Sequence, residues 1–186
     1  MTLRLRPAEA DDLPRITEIY GWHVENGLAS FEEVPPDLAE MTSRFRAVKE
    51  RGLPFTVAIT GEADSAFSEG DVLGYAYAGP YRPRPAYRHT LEDSVYVHPA
   101  ATRRGVGAAL LAQLLDDCAK LGYRQMVAII GDSDNRSSIE LHRKLGFKMV
   151  GILRSVGFKL GRWVDSALMQ RALGPGDTTP PGSAKT

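Results

Sequence analysis

The chain has 186 residues, 43% hydrophobic and 25% charged, enough for one domain with its own core and no need of disulfide or metal clips. Lys and Arg number 23 and Asp and Glu number 23, so the basic excess of a nucleic-acid binder or a membrane-surface protein is missing. A single cysteine, Cys118, excludes an intramolecular disulfide framework, no apolar run approaches the ~20 residues of a membrane span, and the acidic, alternating start does not read as a signal peptide.

In chain order, Thr2 to Arg6 sets Leu3 and Leu5 against Arg4 and Arg6, which predicts a short strand. Asp11 and Asp12 stand where a helix cap belongs and Pro14 suits a first turn. Leu13, Ile16, Ile19, Tyr20 and Val24 then recur at helical spacing, so a helix is expected to about Glu25, where Asn26-Gly27 stops it. Pro35-Pro36-Asp37 opens a second helix that carries Leu38, Met41, Phe45 and Val48 and is closed by Gly52. Phe55 to Thr60 and Val72 to Ala78 read as two strands of a hairpin, joined by the polar stretch Gly61 to Asp71. Gly79 to Arg88, with three prolines and three arginines, reads as a loop.

Thr90 to Val97 follows as a strand, with Leu91, Asp93, Val95 and Val97 on one face and Glu92, Ser94 and Tyr96 on the other. Gly105 to Lys120 is the strongest helix signal; its stripe of Val106, Leu110, Leu114 and Cys118 is widened by Leu111 and Leu115, and Gly122 ends it. Gln125 to Ile130 barely alternates, as a strand buried on both faces would. A helix capped by Asn135 or Ser137 runs to Leu145 before Gly146, and two last strands are expected over Phe147 to Leu153 and Asp165 to Leu173. The order is β-α-α-β-β-β-α-β-α-β-β, a mixed α/β sheet with helices packed on it. Gly174 to Thr186 has one alanine as its only hydrophobic residue and reads as a disordered tail behind a domain spanning 1–173.

The sharpest chemical feature is Arg103-Arg104-Gly105-Val106-Gly107-Ala108, between a strand and the strongest helix. The two glycines let backbone amides approach a ligand closely, and a helix N-terminus adds unsatisfied donors and partial positive charge, which suits a phosphate or pyrophosphate. A plain strand-to-helix turn is the alternative. No Gly-Lys-Ser/Thr follows, so this is no P-loop, and the third glycine of a dinucleotide fingerprint is missing. His23, His89, His98 and His142 show no metal-ligand spacing, so no metal is expected. Cys118 lies within a helix stripe, as a buried structural thiol would; a nucleophile for double displacement is the alternative.

The block Val95 to Tyr123 (VYVHPAATRRGVGAALLAQLLDDCAKLGY), followed about a strand later by Asn135 and then by Leu141-His142-Arg143-Lys144-Leu145-Gly146-Phe147, resembles the GNAT superfamily of N-acetyltransferases. The resemblance spans about residues 3–173 and implies the GNAT acetyltransferase fold. That fold is an α/β arrangement with a mixed, mostly antiparallel sheet splayed at the acetyl-CoA cleft and flanked by helices. It implies acetyl-CoA as cosubstrate, held by its pyrophosphate on Arg103, Arg104, Gly105, Val106, Gly107 and Ala108. The same resemblance implies amide pairing along Val95, Tyr96 and Val97, and contacts from Asn135 and Ser138. Thr102 stands where the superfamily usually has Gln or Arg, so Arg103 and Arg104 are the cations expected to serve.

Phe31-Glu32, Tyr81-Arg82-Pro83, Thr90 to Val97, Leu141-His142 and Val156-Gly157-Phe158-Lys159-x-Gly161-Arg162-Trp163-x-Asp165 look like the phosphinothricin and methionine-sulfoximine acetyltransferase branch. Its members acetylate the α-amino group of small amino-acid analogues. That resemblance implies Phe31, Glu32, Arg82, Asp93 and Ser94 as substrate contacts and a homodimer; Arg84, where some relatives carry an aromatic, departs from the branch pattern and is a further candidate contact.

An amine attacks a thioester only as the free base, so the site must accept its proton. Glu92 is a carboxylate in an apolar-leaning strand; partial burial would raise its pKa, and the resemblance makes it the base, directly or through water. A satisfied sheet carboxylate is the alternative. His142 stands where many superfamily members carry a Tyr that assists the departing thiolate, a task an imidazole can perform; a partly exposed helix histidine is the alternative. A guanidinium at Arg82 or Arg84 would match a substrate carboxylate.

The expected activity is therefore direct, sequential acetyl transfer from acetyl-CoA to the free amino group of a small amino-acid-like substrate of the phosphinothricin, methionine sulfoximine or methionine sulfone type. Protein or peptide N-acetylation and noncatalytic acyl-CoA binding are the rivals. Val156 to Trp163, with two large aromatics between the last strands, is expected near the interface of a cytoplasmic homodimer. No nucleic-acid or membrane partner is expected.

Overall fold

The computed structural model describes residues 2–181. The elements are β1 (Leu3–Pro7), α1 (Leu13–Asn26), α2 (Leu38–Glu50), β2 (Phe55–Thr60), β3 (Val72–Pro80), β4 (Thr90–Val97), α3 (Val106–Lys120), β5 (Gln125–Gly131), α4 (Arg136–Lys144), β6 (Lys148–Lys159) and β7 (Arg162–Ala172). Their order is the one read from the sequence. The caps follow local chemistry: Asp37 accepts from the Glu40 amide at 2.8 Å at the start of α2, and Asn135 accepts from the Ser138 amide at 3.3 Å at the start of α4. Asp12 serves differently. It is buried and takes both nitrogens of the Arg6 guanidinium at 2.7 Å, which ties β1 to the entry of α1.

The seven strands make one sheet in the order β1-β2-β3-β4-β5-β7-β6. Every pairing is antiparallel except β4 with β5. Strand alternation decides what each face meets. Tyr96 packs edge-on to Tyr20 of α1 with ring centroids 4.9 Å apart, and Phe55 packs on Phe45 of α2 at 5.1 Å, so α1 and α2 cover one face. The neighbouring residue in each strand turns the other way. A Cβ added at Gly74 would lie 3.2 Å from Val106 Cγ1, and one added at Gly107 would lie 3.5 Å from Val97 Cγ2, so α3 covers the opposite face. There Leu110, Leu111, Leu114 and Cys118 are wholly buried, and burial pushes the Cys118 thiol up to about 12, which keeps it protonated.

The β4–β5 pairing is short. Thr90, Leu91 and Glu92 pair with Gln125, Met126 and Val127, and beyond that point the two strands part. β5 stays paired with β7 from Gln125 to Gly131, and β4 with β3 from Leu91 to Val97, so the opening lies within the sheet itself. Ile129 of β5 faces that opening and is 39% exposed, an exception to the double burial expected of the strand.

The end of the chain departs from the sequence reading. The last two strands are longer than expected and meet in a two-residue turn, Leu160-Gly161, with φ of 49° and 75°. Two adjacent residues at positive φ match the twist that tight hairpins favour. Val156 to Trp163 is therefore the tip of a hairpin and not a loop. Phe158 and Trp163 face each other across it with ring centroids 5.3 Å apart.

Within the stretch expected as a tail, residues 182–186 lie outside the described residues. Residues 174–181 follow β7 in turns, the Gly176 and Thr178 amides donating to the Leu173 and Pro175 carbonyls, and Arg124 donates to the Thr179 hydroxyl at 2.7 Å. Among the described residues no helix is long and apolar enough to cross a membrane.

Candidate active site

Two cavities meet where β4 and β5 part. Val95, Tyr96, Gly131, Asn135, Ser138 and His142 line both of them. The smaller, about 550 Å³, reaches under residues 29–32 toward Tyr77, Glu92, Asp93 and Ser94. The larger, about 860 Å³, runs from the split along the start of α3 to Thr102 and Arg103.

In the smaller cavity the carboxylates differ sharply in environment. Glu92 lies on the face that α1 and α2 cover, as the strand alternation predicts. Burial foremost, and then the charge of Asp93, push its pKa up from 4.5 to about 7, against the opposing pull of Arg82. Glu32 is already paired: it accepts from the Tyr20 hydroxyl at 3.0 Å and from Arg44 at 2.7 and 3.4 Å. Phe31 leans on β6 at Gly157, where an added Cβ would fall 2.5 Å from its ring.

Asp93 points to the other face, into a buried pair with His142, Oδ2 to Nε2 at 3.0 Å. The other ring nitrogen, Nδ1, donates to the Ser138 carbonyl at 2.7 Å. A carbonyl can only accept, so Nδ1 carries a proton, and a second proton lies between Nε2 and the carboxylate. Burial alone pushes the His142 pKa down, but the Asp93 hydrogen bond and charge outweigh it and raise the value, which favours the imidazolium form of the ring. Both ring nitrogens are thereby committed, which the expected thiolate-assisting role did not anticipate. The second oxygen of Asp93, Oδ1, is buried with no hydrogen-bond partner among the described residues.

The larger cavity carries the glycine-rich turn. Arg103 and Gly105 both have positive φ, 60° and 82°, and this double reversal turns the chain from β4 into α3. It presents the amides of Val106, Gly107 and Ala108, which a first helical turn leaves without intrahelical partners. A side chain at Gly107 would come within 3.3 Å of Leu141 Cδ2, so glycine there lets the backbone of α3 sit close beside α4. Arg103 is part of the cavity wall. Arg104 is not: it pairs with Asp64 at 2.6 Å and lies over the Phe67 ring at 5.6 Å.

Arg82 and Arg84 stand exposed on the loop after β3, outside the walls of both cavities, and the Arg82 guanidinium lies 5.1 Å from the Tyr81 ring centroid. The expected carboxylate clamp is thus at most at the mouth of the smaller cavity. Tyr77 and His23 are among the lining residues that escaped the sequence reading. Tyr77 sits opposite Ser94 in the β3–β4 register, and His23 of α1 bonds the Val97 carbonyl through Nε2 at 2.8 Å. The period of two in β3 signals the first; nothing local signals the second. Among the described residues no group of three or more His, Cys, Asp or Glu side chains is placed to hold a metal ion.

The family model described as Acetyltransferase (GNAT) family matches residues 16–147. The chain is 54% identical over 177 residues, 95% of its own length and 86% of the relative's, to a phosphinothricin N-acetyltransferase of Alcaligenes faecalis. It is 41% identical over 180 residues, 97% of its own length and 100% of the relative's, to an L-methionine sulfoximine/L-methionine sulfone acetyltransferase of Pseudomonas paraeruginosa. Among solved structures, a GNAT superfamily phosphinothricin acetyltransferase from Sinorhizobium meliloti in complex with AcCoA superposes with a TM-score of 0.91 at 48% identity, covering 99% of this chain and 95% of that one.

Proposed function

The chain belongs to the acetyltransferase (GNAT) family, and from that premise we propose that it moves the acetyl group of acetyl-CoA onto the free α-amino group of a small amino-acid-like substrate, of the phosphinothricin, methionine sulfoximine or methionine sulfone type. The observation that carries this reading is Glu92, a half-buried carboxylate held near 7 in a cavity that opens onto the split of the sheet. A base poised at that value is about half ionised near pH 7 and takes up a proton readily.

Acetyl-CoA, when bound, supplies the activated acetyl thioester. The larger cavity fits it on the chemistry of its walls, because close-packed glycine backbone, free helix amides and one arginine suit a pyrophosphate. Arg103, Gly105, Val106, Gly107 and Ala108 would hold that group, and Val95, Tyr96 and Val97 would pair with the amides of the arm, with Asn135 and Ser138 beside it. Arg104, tied to Asp64, supports the turn from outside.

Glu92 accepts the proton of the substrate ammonium, directly or through a water, and backbone donors near Val95 polarise the carbonyl under attack. His142 lines the larger cavity too, but its ring nitrogens are bonded to Asp93 and to the Ser138 carbonyl, so a proton it gives toward the leaving group passes over the Ser138 hydroxyl, 3.4 Å from Nδ1. Phe31, Glu32, Asp93 and Ser94 shape the amine side, and Arg82 and Arg84 meet a substrate carboxylate at its mouth. Transfer is direct, since the one thiol is buried and held protonated.

One acetyltransferase domain over residues 1–173 and a cytoplasmic homodimer complete the reading. Dependence on acetyl-CoA supports the compartment. The apolar tip of the β6–β7 hairpin supports the dimer, with Phe158 56% and Trp163 66% exposed.

The test is CoA release from acetyl-CoA with free methionine sulfone, methionine sulfoximine and phosphinothricin, set beside their carboxyamides and beside peptides with free N-terminal or lysyl amines. Turnover of the free acids well above their amides supports the proposal. Equal turnover of acid and amide removes the carboxylate contact, peptide turnover alone transfers the reading to a protein N-acetyltransferase, and CoA binding without any turnover leaves a noncatalytic module.

A further inference from the structure

Residues 27–37, which join α1 to α2, form a strap against the open part of the sheet. At one side its backbone lies on β5 so closely that a Cβ added at Gly131 would fall 2.1 Å from the Leu28 carbonyl oxygen. From the helices, the Tyr20 hydroxyl bonds the Ser30 hydroxyl at 2.9 Å and Arg44 grips Glu32. From the hairpin comes a single ammonium group. Lys159, the last residue of β6, is 3% exposed, and its Nζ donates to the Ser30 carbonyl at 2.7 Å. Two residues earlier the Phe31 ring packs on the bare backbone of Gly157.

A lysine is a costly choice at such a position, because burial disfavours the ammonium and an apolar residue would fill the space without that cost. Burial does lower the Lys159 pKa, against the nearby charges of Glu32 and Glu33. What the ammonium gives in return is a directed donor to a backbone carbonyl that no other described side chain bonds. That carbonyl belongs to the segment whose Ala29, Ser30, Phe31 and Glu32 wall the smaller cavity, whereas the larger cavity takes only residues 27–29 from the strap.

We infer that Lys159 is a positioning residue: through the Ser30 carbonyl it fixes the amine-side wall of the site, and so governs affinity for the amine while leaving acetyl-CoA binding alone. The kinetic arm of this inference rests on the acetyltransferase reading; a second arm does not. Lys159→Met should raise the amine KM by about tenfold or more, with acetyl-CoA affinity measured by calorimetry within about twofold of native. Lys159→Gln, which keeps an N–H donor without the charge, should recover most of that loss. Independently of turnover, backbone hydrogen exchange in a peptide covering 28–32 should quicken by about tenfold in Lys159→Met, while peptides from α3 keep native rates.

Native exchange in 28–32 in a folded Lys159→Met protein would overturn the inference, as would equal losses of amine and acetyl-CoA affinity. If Lys159→Met fails to fold, Gly157→Ala tests the same hairpin-to-strap support, since its methyl must displace the Phe31 ring. The same split between amine KM and acetyl-CoA affinity is expected there, and native values for both the KM and the exchange of 28–32 would overturn the inference. A native chain that turns over no amine refutes the proposed function, and the exchange measurement still decides the part played by Lys159.

Discussion

Glu92 is held near 7 because burial, and then the adjacent Asp93, disfavour its charge, so the folded chain binds that proton more tightly than the unfolded chain does. Its contribution to stability is fully present below the unfolded value of 4.5 and is lost as pH rises through about 7. Glu92→Gln should therefore melt higher than the native protein at about pH 8, with the gap closing toward acid pH. In the same variant kcat/KM should fall by roughly 10²–10⁴, and the rising limb of its pH profile near neutrality should vanish. Native rates across the neutral range would take Glu92 out of the mechanism. The buried His142 behaves in a related way, its raised pKa giving stability that is full below 6.5 and is lost as pH rises through its folded value. Asp93→Asn should lower the His142 pKa, seen by NMR titration of the ring, and at mildly acid pH should cost about 3–5 kcal/mol, as breaking a buried pair does. An unmoved titration would mean that the Ser138 carbonyl alone holds the ring. Residues of this kind were unevenly legible. Glu92 and its facing followed from alternation within β4, but the Asp93–His142 pair joins residues 49 apart, and the partners of Glu32, Arg104 and Lys159 come from other elements. Side-chain identity at one position does not say which of several neighbouring charges it meets.

At the scale of elements, helices announced themselves because a buried stripe and a glycine stop are both local signals. α3 is the plainest instance, from Gly105 with its φ of 82° at one end to Gly122 with 89° at the other. The start of α3 also carries the anion-binding geometry, and Gly107→Asp tests it. The new side chain must push Leu141 by a few tenths of an ångström and brings a negative charge to the amides of the first turn. Acetyl-CoA affinity by calorimetry should drop by about tenfold or more, which is 1.4 kcal/mol, while circular dichroism shows the helices retained. Unchanged affinity in a folded variant would refute the pyrophosphate assignment. The β6–β7 hairpin was the poorly legible element, for physical reasons that its residues display. Its turn is Leu160-Gly161 and not the Asn-Gly or Asp-Gly that marks such turns in a sequence. Shifts of register between Met149 and Gly151 and between Leu153 and Gly157 break the period of two on which strand recognition depends.

For the whole molecule the consequence of that hairpin is an edge. β6 ends the sheet, spans 12 residues and leaves its outer backbone without a strand partner in the described chain. Long apolar edges invite association, and proteins that stay monomeric blunt them with charge, proline or a covering element. Here the edge and its tip expose Val150 at 63%, Val156 at 52%, Leu160 at 62% and Trp163 at 66%, large apolar side chains of the kind that mark contact surfaces. The chain's formal net charge of zero offers no repulsion to oppose a second copy. Pairing of two such hairpins about a twofold axis would bury the same residues on both sides, as closed symmetric dimers do. Light scattering at micromolar concentration should accordingly return twice the 20.3 kDa of one chain. Trp163→Glu combined with Phe158→Lys should bring the mass down to that of one chain. The fold should survive, because each ring is more than half exposed in the single chain and neither belongs to its core. A native protein that scatters as a single chain would remove the dimer. A variant that stays dimeric would move its interface away from the hairpin tip.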